Sequence, residues 1–190
     1  KHPLTARVMV NRIWRGHFGE GLVRTPDNFG KTGEAPSNPD LLDWLAIKFM
    51  ELDWSVKRLH RLIMLSSTYQ MSSESDPKAM AIDPDNRNFW RMNRRRLEAE
   101  AVRDSVLAVS GQLDLSPGGT MLPLKNREYV TSSGTRITNE YESPRRAVYL
   151  PVIRSALYQQ FVTFDFADPS MANGARSTSI VAPQALFMLN

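Results

Sequence analysis

The recurrence of apolar residues every three to four positions constrains this chain more than any other feature. Between Pro3 and about Phe18, the residues Met9, Val10, Ile13, Trp14 and Phe18 fall at that spacing. It lines one side of an α-helix, whereas a strand would split the same residues between its two faces. The period returns at Leu41, Leu42, Leu45, Phe49 and Leu52, opened by Asn38 and Pro39. Asparagine caps a helix by accepting from its free N–H groups, and proline suits the first turn because no amide hydrogen is needed there. Ser55 caps a third stretch in which Leu59, Leu62 and Ile63 face inward, with Trp54 spaced to close on Leu59 as a hydrophobic staple. A fourth stripe, Leu97, Ala101, Val102, Val106 and Val109, ends near Gly111, and Ala182-Pro183 opens a last helix.

The remaining segments read differently. Residues 19–38 are rich in Gly, Pro, Asn, Asp and Thr and form a long loop, and Asp85 to Trp90 is a short helical turn at most. Arg146 to Val152 and Gln160 to Phe166 are β-branched and aromatic runs that suggest a small sheet. The expected fold is mainly α, with four to five helices and a small β element in the C-terminal third, α+β at most. A single domain over 1–190 is expected. It would comprise a helical core over about 3–113, a polar insertion or hairpin over about 117–143, and a mixed part over 144–190.

Composition removes several function classes. The 190 residues contain no cysteine, so disulfides, thiolate nucleophiles, zinc ribbons and Cys-x-x-Cys-His haem attachment are all excluded. Apolar runs are only a few residues long, against the ~20 needed to cross a bilayer. The chain opens at Lys1 and closes in an apolar stretch without a stop signal, and the expectation is a segment of a longer polypeptide. Net charge is +4, with eighteen arginines against six lysines. That skew favours forked pairing with carboxylate, phosphate or sulfate over diffuse solvation.

Chemistry-bearing clusters are few. His2, His17 and His60 stand far apart, with no His-Glu-x-x-His pattern, so neither a metal site nor a cofactor is implied. His60 is a candidate general base without an orienting partner in its own segment. Asp165 and Asp168, three apart in an aromatic loop, are candidates for acid and base work or for calcium, or else cap turns before Pro169 or pair with Arg154 or Arg176. Arg91, Arg94, Arg95 and Arg96 stand where the fourth helix begins, an end at which cations oppose the helix dipole. Either Glu98, Glu100 and Asp104 compensate them, or that end recruits an anion. Arg145 and Arg146, beside the expected strand, extend the list of anion-binding candidates.

Longer matches of text give a context. Pro3-Leu4-Thr5-Ala6-Arg7, Asn11-Arg12-Ile13-Trp14, His17-Phe18-Gly19, Arg24 to Gly30 and Leu41 to Ala46 form one set. A second set is Leu59 to Ile63, Asp83 to Asn86, Arg94 to Glu100 with Arg103-Asp104, Arg145-Arg146, Arg176-Ser177-Thr178 and Pro183 to Leu186. Over nearly its whole length the chain resembles the planctomycete-specific C-terminal domain of unknown function. The resemblance implies the end of a large exported protein, in the periplasm or at the cell surface, that also carries a haem-c-like domain and a second planctomycete-specific domain. No catalytic residue carries over. The expected role is a non-catalytic module that docks to sister domains or binds anionic polysaccharide through Arg91, Arg94, Arg95, Arg96, Arg145 and Arg146. The alternative is a glycan-active hydrolase using Asp165, Asp168 and His60. Nucleic acid is a poor partner, because clustered lysines and exposed aromatics are lacking.

Overall fold

Capping residues and apolar stripes produce helices where the spacing requires them. The computed structural model describes residues 2–119, 121, 139–154 and 156–189, so most of the hairpin expected over 117–143 lies outside the described residues. The chain is mainly helical and divides into two compact units, Lys1–Arg95 and Arg96–Asn190.

The first unit contains α1 (Pro3–Phe18), α2 (Pro39–Glu51), α3 (Val56–Met64) and α4 (Pro77–Ile82). Asn38 accepts from the Leu41 N–H and Ser55 from the Arg58 N–H, as their positions before the stripes require. Helices α1, α2 and α3 bury Ala6, Val10, Ile13, Trp14 and Phe18, then Leu42, Leu45, Ala46 and Phe49, then Leu59 and Ile63, in one core. Fully burying each of the Val, Leu, Ile and Phe side chains contributes about 1.5–3 kcal/mol. An Arg7–Asp43 pair, with N···O distances of 2.6 and 2.7 Å, joins the outer surfaces of α1 and α2. Trp54 turns edge-on to Phe49, with ring centroids 5.2 Å apart.

The loop over 19–38 is held by a polar residue within the apolar stripe of α1. Asn11 is fully buried, donates to the Val23 carbonyl at 3.0 Å and accepts from the Val23 N–H at 2.8 Å. Both backbone groups of Val23 are thereby satisfied away from water. Gly21 is needed for this approach, since a Cβ there would lie 2.6 Å from the Val23 oxygen and 2.8 Å from Asn11 Nδ2. Helix α4 was not expected. Asp76 caps it through the Lys78 N–H, with Pro77 in its first turn. Asp85 to Trp90 is not helical; Asn86 and Phe89 both adopt positive φ there. That geometry packs Phe89 edge-on against the stacked rings of Trp14 and Phe18, 5.2 Å from each.

The second unit contains α5 (Ala99–Val109), 3₁₀ turns at Asn139–Glu142 and Ala147–Tyr149, α6 (Gln159–Thr163) and α7 (Ala182–Leu189). Its core is aromatic, with Tyr141 stacked on Tyr158 and Phe161 on Phe166. The small β element is not seen among the described residues, which hold only an isolated bridge between Asp114 and Arg145. Two physical reasons account for the difference. Ala147, Leu150 and Ile153 are buried at every third residue, not every second, and Pro151 lacks the N–H a ladder needs. The second expected strand forms α6 instead, where a helical turn buries Phe161.

Candidate functional site

Six arginines were expected to bind anions, and they fall into separate environments. The segment from Arg91 to Arg96 is not helical, and α5 begins only at Ala99 after Glu98. The expected clash with the helix dipole therefore does not arise. Arg95 donates to the Gly16 carbonyl at 2.7 Å, in the last turn of α1, where the dipole favours a cation. Gly19 makes room for it, with φ of 84° and no Cβ, which would sit 2.7 Å from Arg95 Cδ. Arg96 donates to the Ser179 carbonyl and to Gln184 Oε1, the latter at 2.9 Å. Arg145 donates to the Gly118 carbonyl and lies over the Tyr149 ring. The Arg146 side chain is exposed.

Arg91 and Arg94 share a site in the first unit. With Ser73, Ser75, Met80 and Asn93 they line an open cleft of about 390 Å³. Among the described residues neither arginine has an acidic partner within ion-pair distance. The acids expected to compensate them are engaged elsewhere. Glu98 and Glu100 bind Arg176, Glu100 in a bidentate pair at 2.6 and 2.8 Å, and Asp104 accepts from the Ala147 N–H. Burial acts to raise the Glu100 pKa, but hydrogen bonds and charge from Arg176 outweigh it and hold the carboxyl below its ordinary value.

The cleft is built before any ligand arrives. The Arg91 guanidinium lies over the Trp90 ring, 5.1 Å from its centroid, and Trp90 Nε1 is anchored on the Asp83 carbonyl at 2.8 Å. Asn86, 2% exposed, donates to the Arg91 carbonyl at 2.8 Å and to Asn93 Oδ1 at 2.9 Å. Asn93 in turn donates to the Phe18 carbonyl at 3.1 Å. Arg91 Nε is buried without a hydrogen-bond partner. A buried unmet donor costs about 1–3 kcal/mol.

The acid and base candidates are occupied differently. Asp165, held at φ of 61°, accepts from Ser179 Oγ at 2.6 Å and from the Ser179 N–H at 2.8 Å. Those hydrogen bonds lower its pKa, which suits a fixed carboxylate better than a proton carrier. Asp168 accepts from the Ser170 N–H and caps a turn. His60 has the partner its own segment lacks, since His17 Nε2 and His60 Nδ1 lie 2.7 Å apart. Tyr69 packs edge-on to His17 at 5.3 Å. Burial, then His60, then Arg95 lower the His17 pKa. Among the described residues no three His, Cys, Asp or Glu side chains gather to hold a metal ion, and no helix is long and apolar enough to cross a membrane.

Sequence reasoning missed Ser73, Ser75 and Asn93 in the cleft, Asn86 beneath it, and the pairing of His17 with His60. The two serines at spacing two carried a faint signal of a shared face. Nothing local marked the others.

Fold and site together define a mainly helical module in which many arginines clamp backbone and acids while Arg91 and Arg94 line an open cleft. The chain belongs to the PSD1 family, described as protein of unknown function (DUF1553), whose sequence profile matches residues 1–190. No curated protein and no solved structure matches it.

Proposed function

We propose that this chain is a non-catalytic module that binds anionic polysaccharide, with Arg91 and Arg94 as its contacts. The observation that carries the reading is a pair of guanidinium groups without acidic partners among the described residues, in an open cleft lined otherwise by Ser73, Ser75, Met80 and Asn93. Among the described residues no carboxylate lines that cleft, so no fixed negative charge opposes an incoming anion. An open cleft lets a polymer pass across, and the Met80 side chain offers an apolar wall for a sugar ring.

The test is thermal unfolding at fixed ionic strength with dextran sulfate, neutral dextran and single-stranded DNA. A ligand that prefers the native state stabilises it by about 2.7 kcal/mol at a hundred times its Kd. The proposal expects a raised midpoint with dextran sulfate only, diminished by added salt and lost in Arg91→Ala/Arg94→Ala. A shift that survives the double substitution would place the ligand elsewhere.

A further inference from the structure

The cleft is lined from two chain segments, with Arg91 and Arg94 on one and Ser73 and Ser75 on the other. The Met92 N–H donates to the Ser72 carbonyl at 3.0 Å, which ties the two segments together. Asn86 bonds both the N–H and the carbonyl of Arg91, at 3.3 and 2.8 Å, so the arginine segment is fixed as well. Among the described residues the Ser73 and Ser75 hydroxyls have no hydrogen-bond partner.

The geometry of an anion decides whether those hydroxyls matter. A carboxylate offers two oxygens in one plane, and a single guanidinium fork satisfies both. A sulfate or phosphate ester offers three terminal oxygens around a tetrahedral centre, more acceptor positions than one fork fills, so hydroxyl donors from a second segment add to its binding. Resting on the anion-binding reading above, we infer that the cleft prefers a tetrahedral oxyanion ester, sulfate or phosphate, over a carboxylate. Arg91 and Arg94 supply the charge, and the Ser73 and Ser75 hydroxyls supply the selectivity.

The experiment is isothermal titration of the whole chain with dextran sulfate, dextran phosphate and carboxymethyl dextran, matched in length and charge density, at one ionic strength. One backbone carries all three anions, so only the charged group differs. The expected result is that a sulfate or phosphate polymer binds roughly tenfold tighter than the carboxymethyl polymer, equivalent to about 1.4 kcal/mol. Ser73→Ala/Ser75→Ala should reduce that ratio to near one while carboxymethyl affinity holds, and circular dichroism would verify that the variant folds. The order of sulfate and phosphate tells which ester the cleft takes. Equal affinity for all three polymers in the unaltered chain would overturn the selectivity and leave anion binding standing. Binding of none would overturn both.

Discussion

Replacing Asn11 with alanine should destabilise the first unit far more than its single polar side chain suggests. The residue is fully buried and supplies both the acceptor for the Val23 N–H at 2.8 Å and the donor for the Val23 carbonyl at 3.0 Å. Alanine abandons both groups where neighbouring atoms leave little space, as the contacts of Gly21 with Asn11 and Val23 show. Each unmet buried group costs about 1–3 kcal/mol, and some water entry through the loop offsets part of it, so about 3 kcal/mol in total is expected. With a urea slope of about 1–2 kcal/mol per molar, the unfolding midpoint should fall by roughly 1.5–3 M at unchanged slope. Hydrogen exchange at the Val23 amide adds a local readout and should accelerate by more than the global loss of stability explains. A loss below about 1 kcal/mol, with Val23 still protected, would refute the claim that Asn11 organises residues 19–38.

Three further outcomes follow from the same geometry. Because the folded chain lowers the pKa of His17 from the ordinary 6.5, the unfolded state takes up its proton first on acidification. Stability should therefore fall as pH drops below about 6.5 and level off once the folded form protonates too, and His17→Gln should flatten that loss in urea melts from pH 7.5 to 5. Arg103, 4% exposed, donates to the carbonyls of Arg145, Tyr141 and Ser143; Arg103→Met should cost about 3 kcal/mol in the second unit by leaving them unmet, read by exchange of its amides. Asp165→Asn keeps the shape and tolerates the positive φ, so it isolates the charge. A loss of about 1 kcal/mol is expected in urea melts at pH 7, discounted for solvent screening.

Helices long enough to show a stripe were legible in the sequence, and so were their starts at Asn38-Pro39 and Ser55. Helix α4 was not, because six residues are too few for a period to register. The Asp76-Pro77 signal before it is nonetheless of the same kind as Asn38-Pro39. The run from Arg146 to Val152 misled because β-branched propensity is weak beside packing, and burial there recurs every three residues. Asn11 stood within the apolar stripe of α1, but only the fold shows that its partner is a loop residue twelve positions on. The candidate site was half legible. Four nearby arginines suggested one anion patch, but the segment is not helical, so no helix face gathers them. Arg95 reaches Gly16, Arg96 reaches Ser179 and Gln184, and only Arg91 and Arg94 line the cleft. The pairing of His17 with His60, 43 residues apart, depends on how α1 and α3 come together and has no local signature.

The most direct measurement of the central claim is the nitrogen-15 and proton NMR signal of the Arg91 Nε–H group during titration with dextran sulfate. That nitrogen is buried without a partner among the described residues, so its signal reports on its own guanidinium when that group binds an anion. A saturable downfield shift of the Arg91 signal, absent with neutral dextran and with the signals of Arg96, Arg103 and Arg176 unmoved, is what the account predicts. An Arg91 signal that stays in place while dextran sulfate binds would contradict it.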